Sequence, residues 1–252
     1  MINKENVIDV THWANNIFSF KTTRKFPNKF NNGEFTMIGI NYNNKNIMRA
    51  YSIASANHES NLEFLSIISD TGELTARLKN IRPGDEILIS SKSSGTLVVD
   101  YLLPGRNLYL ISTGTGLAPF MSIIKDPQTY ERFEKVILTH TTSYINQLAF
   151  KKELELFNKN WNIITKSQFY YFNTVTRENW HNSGRITNWI KEKRLSKKIK
   201  CEEIDSEKDR FMICGSLELN NDLIKYFKSI NMKEGGTKKA GGFVVEKAFV
   251  KS

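Results

Sequence analysis

Cysteine is scarce in this sequence, with only Cys201 and Cys214 among 252 residues. Two cysteines are too few for a disulfide framework, an iron–sulfur cluster or a four-cysteine zinc site. The four histidines are scattered without the spacing of metal ligands, so each is expected to be a surface or hydrogen-bonded residue. The sequence therefore predicts no metal centre.

Long apolar runs are also missing. None approaches the ~20 residues that a membrane-spanning helix needs. The first six residues, Met-Ile-Asn-Lys-Glu-Asn, carry no apolar segment of the secretory type. We therefore expect a cytoplasmic protein without a membrane span.

The composition is that of a folded protein with a basic surface. Hydrophobic residues make up 40% and charged residues 25% of the chain, close to globular averages. The formal net charge is +10, which attracts nucleic acid, anionic membranes, phosphorylated cofactors or acidic proteins. Charge alone does not choose among these partners, and the many Asn, Lys and Ile residues are also consistent with a compositional bias of the genome.

The pattern of predicted elements changes near residue 104, and we place a domain boundary there, giving residues 1–103 and 104–252. The first part contains β-type stretches at 35–40, 62–68, 86–90 and 95–99 and one helix over 72–79, which predicts an antiparallel barrel or sandwich. The second part alternates strands and helices, which predicts a parallel sheet with helices on both faces. Its predicted strands are 107–112, 136–140, 161–165, 169–176 and 210–214, and its predicted helices 118–124, 147–157, 185–193 and 217–230.

Two motifs suit a phosphorylated, planar ligand. Arg49, Tyr51 and Ser52 lie in one β segment, where Arg offers a fork of donors for a pyrophosphate and Tyr a ring for stacking. An ordinary strand with a surface Arg and a packed Tyr explains these letters equally well. The strand over 107–112 runs into Gly114 and Gly116 before a helix, which lets a phosphate approach the backbone.

Three further features are ambiguous on their own. Cys214 ends a buried strand, where a free cysteine is usually a small hydrophobe; without a nearby base, a nucleophilic role is disfavoured. Arg177 and Arg185 stand at element ends and suit either a phosphate monoester or solvent. The apolar tail is either an edge strand or a segment that covers a site through Phe249.

Taken in order along the chain, these motifs resemble the ferredoxin/flavodoxin–NADP⁺ reductases, most closely the bacterial type ending in A-F-V plus two residues. The shared segments are R-A-Y-S, G-x-L-T, G-T-G-L-A-P-F, V-T-R-E, G-R-I, C-G-S and V-V-E-K-A-F-V. The resemblance implies an FAD-binding β-barrel followed by an NADP(H)-binding α/β domain whose tail returns to the flavin. It also implies electron transfer between NADP(H), as hydride, and ferredoxin or flavodoxin, in one-electron steps, through bound FAD.

The resemblance assigns FAD contacts in the first part. Arg49 would take the pyrophosphate, Tyr51 would stack on the isoalloxazine and Ser52, with a catalytic role, would bond near flavin N5. Further FAD contacts are implied at Ala50, Phe64, Leu65, Ser66, Gly72, Glu73, Leu74 and Thr75.

The second part receives the NADP(H) contacts. Gly114, Thr115 and Gly116 would meet the dinucleotide, and Arg177 and Arg185 would hold its 2′-phosphate. Catalytic roles are implied for Cys214, beside the nicotinamide, and for Glu246, while Ala248 and Phe249 would lie against the flavin. Some relatives carry another Arg where this chain has Thr142-Ser143, which leaves part of the 2′-phosphate contact open.

The expected partner is an acidic ferredoxin or flavodoxin, and the expected state a monomer that binds no nucleic acid. Rival interpretations are a flavin reductase that releases free flavin, the reductase part of an oxygenase, and an electron-transfer subunit of a larger complex. The last two usually need a cysteine cluster that two cysteines do not supply. A basic barrel that binds single-stranded nucleic acid is a further rival, but it leaves the glycine turn without a role.

Overall fold

The computed structural model describes residues 1–25, 29–164 and 167–247, which form two compact units. The first unit comprises Met1–Val98 and Ala118–Lys125. The second comprises Val99–Leu117 and the described residues from Asp126 onward. The predicted division of the chain into residues 1–103 and 104–252 stays a prediction.

An antiparallel six-stranded sheet forms the first unit, in the order β4-β3-β6-β1-β2-β5. Its strands are β1 (Ile2–Ala14), β2 (Ile17–Thr22), β3 (Phe35–Tyr42), β4 (Lys45–Ser52), β5 (Leu62–Ile67) and β6 (Glu86–Ser94). Just after β4, the Ala54 N–H donates to the Glu63 carbonyl on β5 at 2.8 Å, so the two edges of the sheet meet. The predicted antiparallel barrel is confirmed.

The barrel interior is apolar and largely aromatic. Phe18, Phe20 and Phe64 project from neighbouring strands and are fully buried, together with Ile38 and Ile87. Two short helices complete this unit, α1 (Thr75–Leu78) and α2 (Ala118–Ile124). The Ser122 hydroxyl on α2 accepts a hydrogen bond from the Gly33 N–H at 2.9 Å, which ties this helix to the barrel unit.

Two predictions for this half need correction. The predicted strand over 95–99 is wrong: these residues pair with no strand in the described part of the chain, and Val99–Tyr101 is a 3₁₀ turn. Leu97 is nevertheless buried, and its carbonyl lies where a side chain on Gly33 would stand. The predicted helix over 72–79 is confined to Thr75–Leu78, because Gly72 belongs to a turn in which its N–H donates to the Ser69 carbonyl.

A parallel five-stranded sheet organises the second unit, in the order β11-β10-β7-β8-β9. The strands are β7 (Asn107–Thr113), β8 (Lys135–Thr142), β9 (Gln168–Val175), β10 (Asp209–Gly215) and β11 (Phe243–Lys247). The helices are α3 (Pro127–Arg132), α4 (Lys151–Ile164), α5 (Ile186–Lys191), α6 (Arg194–Ile199) and α7 (Leu217–Ser229).

Helices cover both faces of this sheet, as predicted. Side chains alternate along a strand, so Phe169 and Phe172 of β9 point to opposite faces. The Phe169 ring lies 5.0 Å from that of Phe157 on α4, and the Phe172 ring 5.0 Å from that of Trp189 on α5. Helices α5, α6 and α7 contribute to one continuous core with β7, β10 and β11. The α/β class is confirmed.

The predicted strand over 161–165 is wrong in its described part, because helix α4 continues to Ile164. Trp161 stacks on Phe157 one helical turn earlier, with ring centroids 5.1 Å apart, and lies against Tyr130 on α3. The helix also begins later than the predicted residue 147, because Phe150 has a positive φ of 57°. Within the described residues, no helix is long and apolar enough to cross a bilayer.

Candidate functional site

An arginine–glutamate pair marks one end of the candidate site in the first unit. Arg49 on β4 is exposed, and its Nη2 lies 3.1 Å from Oε2 of Glu73. Each side chain is about half exposed, so water screens the pair. Arg49 is thus accessible to an anion, which would share the guanidinium with the Glu73 carboxylate. Ala50, next to it, is also exposed.

Tyr51 and Ser66 form the second contact of this site. The Tyr51 hydroxyl lies 2.9 Å from Ser66 Oγ. Because Ser66 Oγ donates its one proton to the Ile67 carbonyl, Tyr51 is the donor of this pair. Burial raises the pKa of the Tyr51 phenol, and the hydrogen bond to Ser66 holds the end of its ring. Ser52 follows on the same strand and is partly exposed.

The predicted neighbours on β5 are less accessible. Phe64 is fully buried, and its ring packs 5.5 Å from that of Phe20 in the barrel core. Leu65 is 4% exposed. Of the three predicted contacts on this strand, Ser66 is the one that connects to Tyr51.

The segment before helix α1 has free backbone donors. Within the described chain, the N–H groups of Glu73, Leu74 and Thr75 have no acceptor, whereas the Gly72 N–H bonds to Ser69. Thr75 Oγ1 donates to the Ser69 carbonyl at 3.0 Å, which holds this turn. These three successive N–H groups begin at Glu73, whose side chain pairs with Arg49. Such a row of free donors next to an arginine fits the phosphates of a dinucleotide cofactor.

In the second unit, the glycine turn packs against the end of strand β10. A Cβ on Gly116 would stand 2.2 Å from the Cys214 carbonyl oxygen, so glycine is required there. Thr113 Oγ1 accepts a hydrogen bond from the Ser216 N–H at 2.9 Å. Gly114 has a positive φ of 54°, which glycine adopts at low cost. Two strand ends therefore form one rigid edge, with Thr115 between the glycines.

A buried histidine touches this turn, and the sequence motifs do not single it out. His140 lies near the carboxyl end of β8 and is fully buried, and its Nε2 lies 3.0 Å from the Gly114 carbonyl oxygen. The order of strands supplies the missing signal, because β8 runs parallel to β7 and places its carboxyl end beside the turn.

Cys214 and Glu246 are direct neighbours across β10 and β11. Cys214 is 1% exposed, and burial together with the Glu246 carboxylate raises the pKa of its thiol. A protonated, buried thiol is a poor nucleophile, which agrees with the interpretation drawn from the sequence. The Glu246 carbonyl accepts a hydrogen bond from Asn220 Nδ2 at 3.0 Å, which fixes the strand to helix α7.

The two arginines predicted to bind the 2′-phosphate, Arg177 and Arg185, lie in the same loop, between β9 and α5. The Gly184 N–H donates to the Val175 carbonyl at 2.9 Å, so the loop returns to the strand end from which it starts. Arg177 is exposed, with its N–H bonded to the Ser143 carbonyl at 2.9 Å. Arg185 is exposed as well and lies 3.4 Å from Glu218. Ala248 and Phe249 lie outside the described residues.

Comparison with known families agrees with this arrangement. The family model described as "Oxidoreductase FAD-binding domain" matches residues 5–97, and the one described as "Oxidoreductase NAD-binding domain" matches residues 110–225. The two matches place this protein in the class of two-domain oxidoreductases that use a flavin and a pyridine nucleotide.

Individual proteins similar to this chain identify the family within that class. The chain is 43% identical to a ferredoxin–NADP reductase of Azotobacter vinelandii, over 99% of this chain and 98% of that protein. It is 41% identical to a flavodoxin/ferredoxin–NADP reductase of Rhodobacter capsulatus, over 98% and 93%. A crystal structure of a Neisseria gonorrhoeae ferredoxin NADP⁺ reductase with bound FAD and NADP superposes with a TM-score of 0.90 at 26% identity, covering 98% of this chain and 99% of that one. The chain belongs to the bacterial ferredoxin/flavodoxin–NADP reductase family, which confirms the family predicted from the ordered motifs.

Proposed function

We propose that this protein is an FAD-dependent ferredoxin/flavodoxin–NADP⁺ reductase, which transfers electrons between NADP(H) and a ferredoxin or flavodoxin. The observation that carries the proposal is the order of the two cofactor-binding domains along a chain that its reductase relatives match almost end to end. Bound FAD supplies the conversion between hydride transfer and single-electron transfer. The protein supplies binding, orientation and charge.

Residues 1–103 form the FAD-binding part of the proposal. Arg49 and the free N–H groups of residues 73–75 bind the pyrophosphate, and Tyr51, held by Ser66, stacks on the isoalloxazine. Ser52 bonds near flavin N5. Ala50, Phe64, Leu65 and Gly72 shape the surroundings of the cofactor, and Ala248 and Phe249 cover it.

Residues 104–252 form the NADP(H)-binding part. The dinucleotide lies on Gly114, Thr115 and Gly116, where the missing Cβ of Gly116 allows the turn to pack on Cys214. Cys214 and Glu246 stand beside the nicotinamide, and Arg177 and Arg185 hold the 2′-phosphate. The carrier is acidic, and the protein is monomeric and cytoplasmic.

Absorption spectroscopy of the purified protein tests the cofactor and its reductant together. We expect flavin bands near ~380 and ~450 nm that stay with the protein through gel filtration and bleach on anaerobic addition of NADPH. Loss of the flavin on gel filtration would favour a flavin reductase that releases its flavin. A colourless protein that takes up no added FAD would contradict the proposal.

The nucleotide preference is tested by the double variant Arg177→Ala with Arg185→Ala. Because charge-assisted hydrogen bonds contribute more than neutral ones, we expect the ratio of kcat/KM for NADPH over NADH to fall by about tenfold or more. The control removes two exposed lysines of α6, Lys197→Ala with Lys198→Ala, and so changes net charge equally in the same unit. An unchanged ratio in the arginine variant would contradict the 2′-phosphate assignment.

A further inference from the structure

His140 is a buried polar residue in the second unit without a role in the proposed function so far. It lies on β8 opposite Ser112 of β7, in parallel register. Its side chain is fully buried and reaches past Ser112 to the Gly114 carbonyl, with Nε2 at 3.0 Å from the oxygen. This is the first carbonyl of the turn proposed to hold the dinucleotide.

The hydrogen bond fixes the protonation of the ring. A carbonyl oxygen only accepts, so Nε2 carries the proton. Nδ1 is buried and has no partner within the described residues. Burial lowers the pKa of His140 to about 4, an effect that the bond to Gly114 only partly offsets. Near neutral pH the ring is therefore an uncharged single donor, directed at one backbone oxygen.

Holding this oxygen also sets the direction of the next N–H. A trans peptide is planar, so the Gly114 carbonyl and the Thr115 N–H point in opposite directions. As the ring draws the oxygen into the core, it turns the Thr115 N–H the other way. Gly114 opens a 3₁₀ turn over Gly114–Leu117, and the His140 ring adds a side-chain donor to the carbonyl with which that turn begins.

The rest of the turn is fixed by other contacts. The Ser216 N–H bonds to Thr113 before the turn, and Gly116 packs on the Cys214 carbonyl after it. Within the turn, the peptide between Gly114 and Thr115 is the one whose carbonyl the histidine side chain contacts.

We propose that His140 is a positioning residue for NADP(H): it orients the Gly114–Thr115 peptide so that the Thr115 N–H is presented to the phosphates of the dinucleotide. This inference rests on the proposed function. His140 itself touches neither cofactor nor substrate, so it is not a catalytic residue.

Two variants of similar size separate the hydrogen bond from packing. His140→Gln keeps a side-chain N–H donor, whereas His140→Met fills similar space without one. Titration of the FAD-loaded protein with NADP⁺, followed by flavin absorbance, should give a Kd raised about tenfold in the Met variant and restored to within about threefold of wild type in the Gln variant. Equal affinities in the two variants would overturn the inference.

A truncated ligand controls for general damage to the unit. Adenosine 2′-monophosphate carries the phosphate proposed for Arg177 and Arg185 but no pyrophosphate. Its Kd, measured by calorimetry, should be the same in wild type and both variants. Equal weakening of both ligands in the Met variant would overturn the inference in favour of a structural role. A wild-type protein that binds neither ligand would instead contradict the proposed function.

Wild-type protein offers a test that needs no variant, should His140→Met fail to fold. In amide NMR spectra, NADP⁺ should shift the Thr115 resonance strongly and adenosine 2′-monophosphate should leave it in place. A Thr115 amide that does not respond to bound NADP⁺ would overturn the inference.

Discussion

Burial keeps two ionisable side chains of the nucleotide-binding unit uncharged near neutral pH. The Cys214 thiol is protonated, because burial and the Glu246 carboxylate both disfavour the thiolate. His140 is neutral, because its ring has no access to water and one hydrogen bond does not compensate. Two side chains that stay uncharged suit a proposed site in which the flavin performs the redox chemistry and neither of them has to titrate.

The neutral state of His140 makes the stability of the protein depend on pH. Its pKa is about 4 when folded and 6.5 in a model peptide, so the unfolded chain binds the extra proton first as pH falls. Its contribution is complete above pH 6.5 and is lost as pH falls towards 4. Between about pH 7 and about pH 5, the unfolding free energy should fall by about 2 kcal/mol more in wild type than in His140→Gln, which cannot titrate. Urea unfolding of both proteins measures this difference, and parallel pH profiles would show that the histidine is not held neutral.

Among the elements, strands β7 to β10 of the parallel sheet are predictable because buried strands form continuous apolar runs, whereas for β11 the sequence leaves open an edge strand or a segment that covers a site. β1 (Ile2–Ala14) escapes prediction because the inward positions of its first half include Asn3 and Glu5, which are 5% and 2% exposed. The Glu5 carboxylate accepts hydrogen bonds from the Thr23 hydroxyl and the Lys25 N–H. A strand whose buried face is polar shows no apolar alternation.

The opposite error of prediction occurs at residues 95–99 and 161–164, where apolar residues suggest strands but the structure has a loop and a helix. Leu97 is buried in a loop against Gly33, and Trp161 continues a helix through its stacking on Phe157. The first outcome depends on Gly33, which is distant in sequence, and the second on Phe157 four residues earlier together with Tyr130 of α3. The candidate site shows the same difference. Its glycine and arginine motifs can each be recognised within one segment of the sequence, whereas the contact of His140 with Gly114 can be predicted only when the order of strands in the sheet is known.

The close packing of the glycine turn on β10 predicts the effect of a single methyl group. In Gly116→Ala, the Cβ would stand 2.2 Å from the Cys214 carbonyl oxygen, and a backbone atom cannot rotate away. We expect a loss of about 1–3 kcal/mol in unfolding free energy and weaker NADP⁺ binding. The control is Gly236→Ala in the same unit, which would meet nothing within 4 Å. Denaturant unfolding and NADP⁺ titration measure both effects, and a Gly116→Ala protein as stable as the control would mean that the two strand ends are not held together.

For the molecule as a whole, the proposed chemistry is divided between the two units. Among the described residues, the proposed FAD contacts lie in the barrel unit and the proposed NADP(H) contacts in the α/β unit. The chain does not keep to one unit at a time, because helix α2 follows the glycine turn in sequence yet belongs with the barrel. The excess of positive charge is a property of the whole chain, with 36 Lys and Arg against 26 Asp and Glu. A net charge of +10 would raise the encounter rate with the acidic electron carrier proposed above.

Salt should therefore slow the reaction with the carrier more than the reaction with a small molecule. Between about 0.01 M and about 0.15 M salt, the Debye length falls from ~30 to ~8 Å, so attraction between net charges is screened. At saturating NADPH, we expect kcat/KM for an acidic ferredoxin or flavodoxin to fall about tenfold or more over this range. An uncharged quinone as electron acceptor is the control, because it shares the flavin but not the attraction, and its kcat/KM should change less than about twofold. If carrier and quinone respond alike, the basic surface does not steer the carrier, and the positive charge of this chain needs another explanation, such as the composition of its genome.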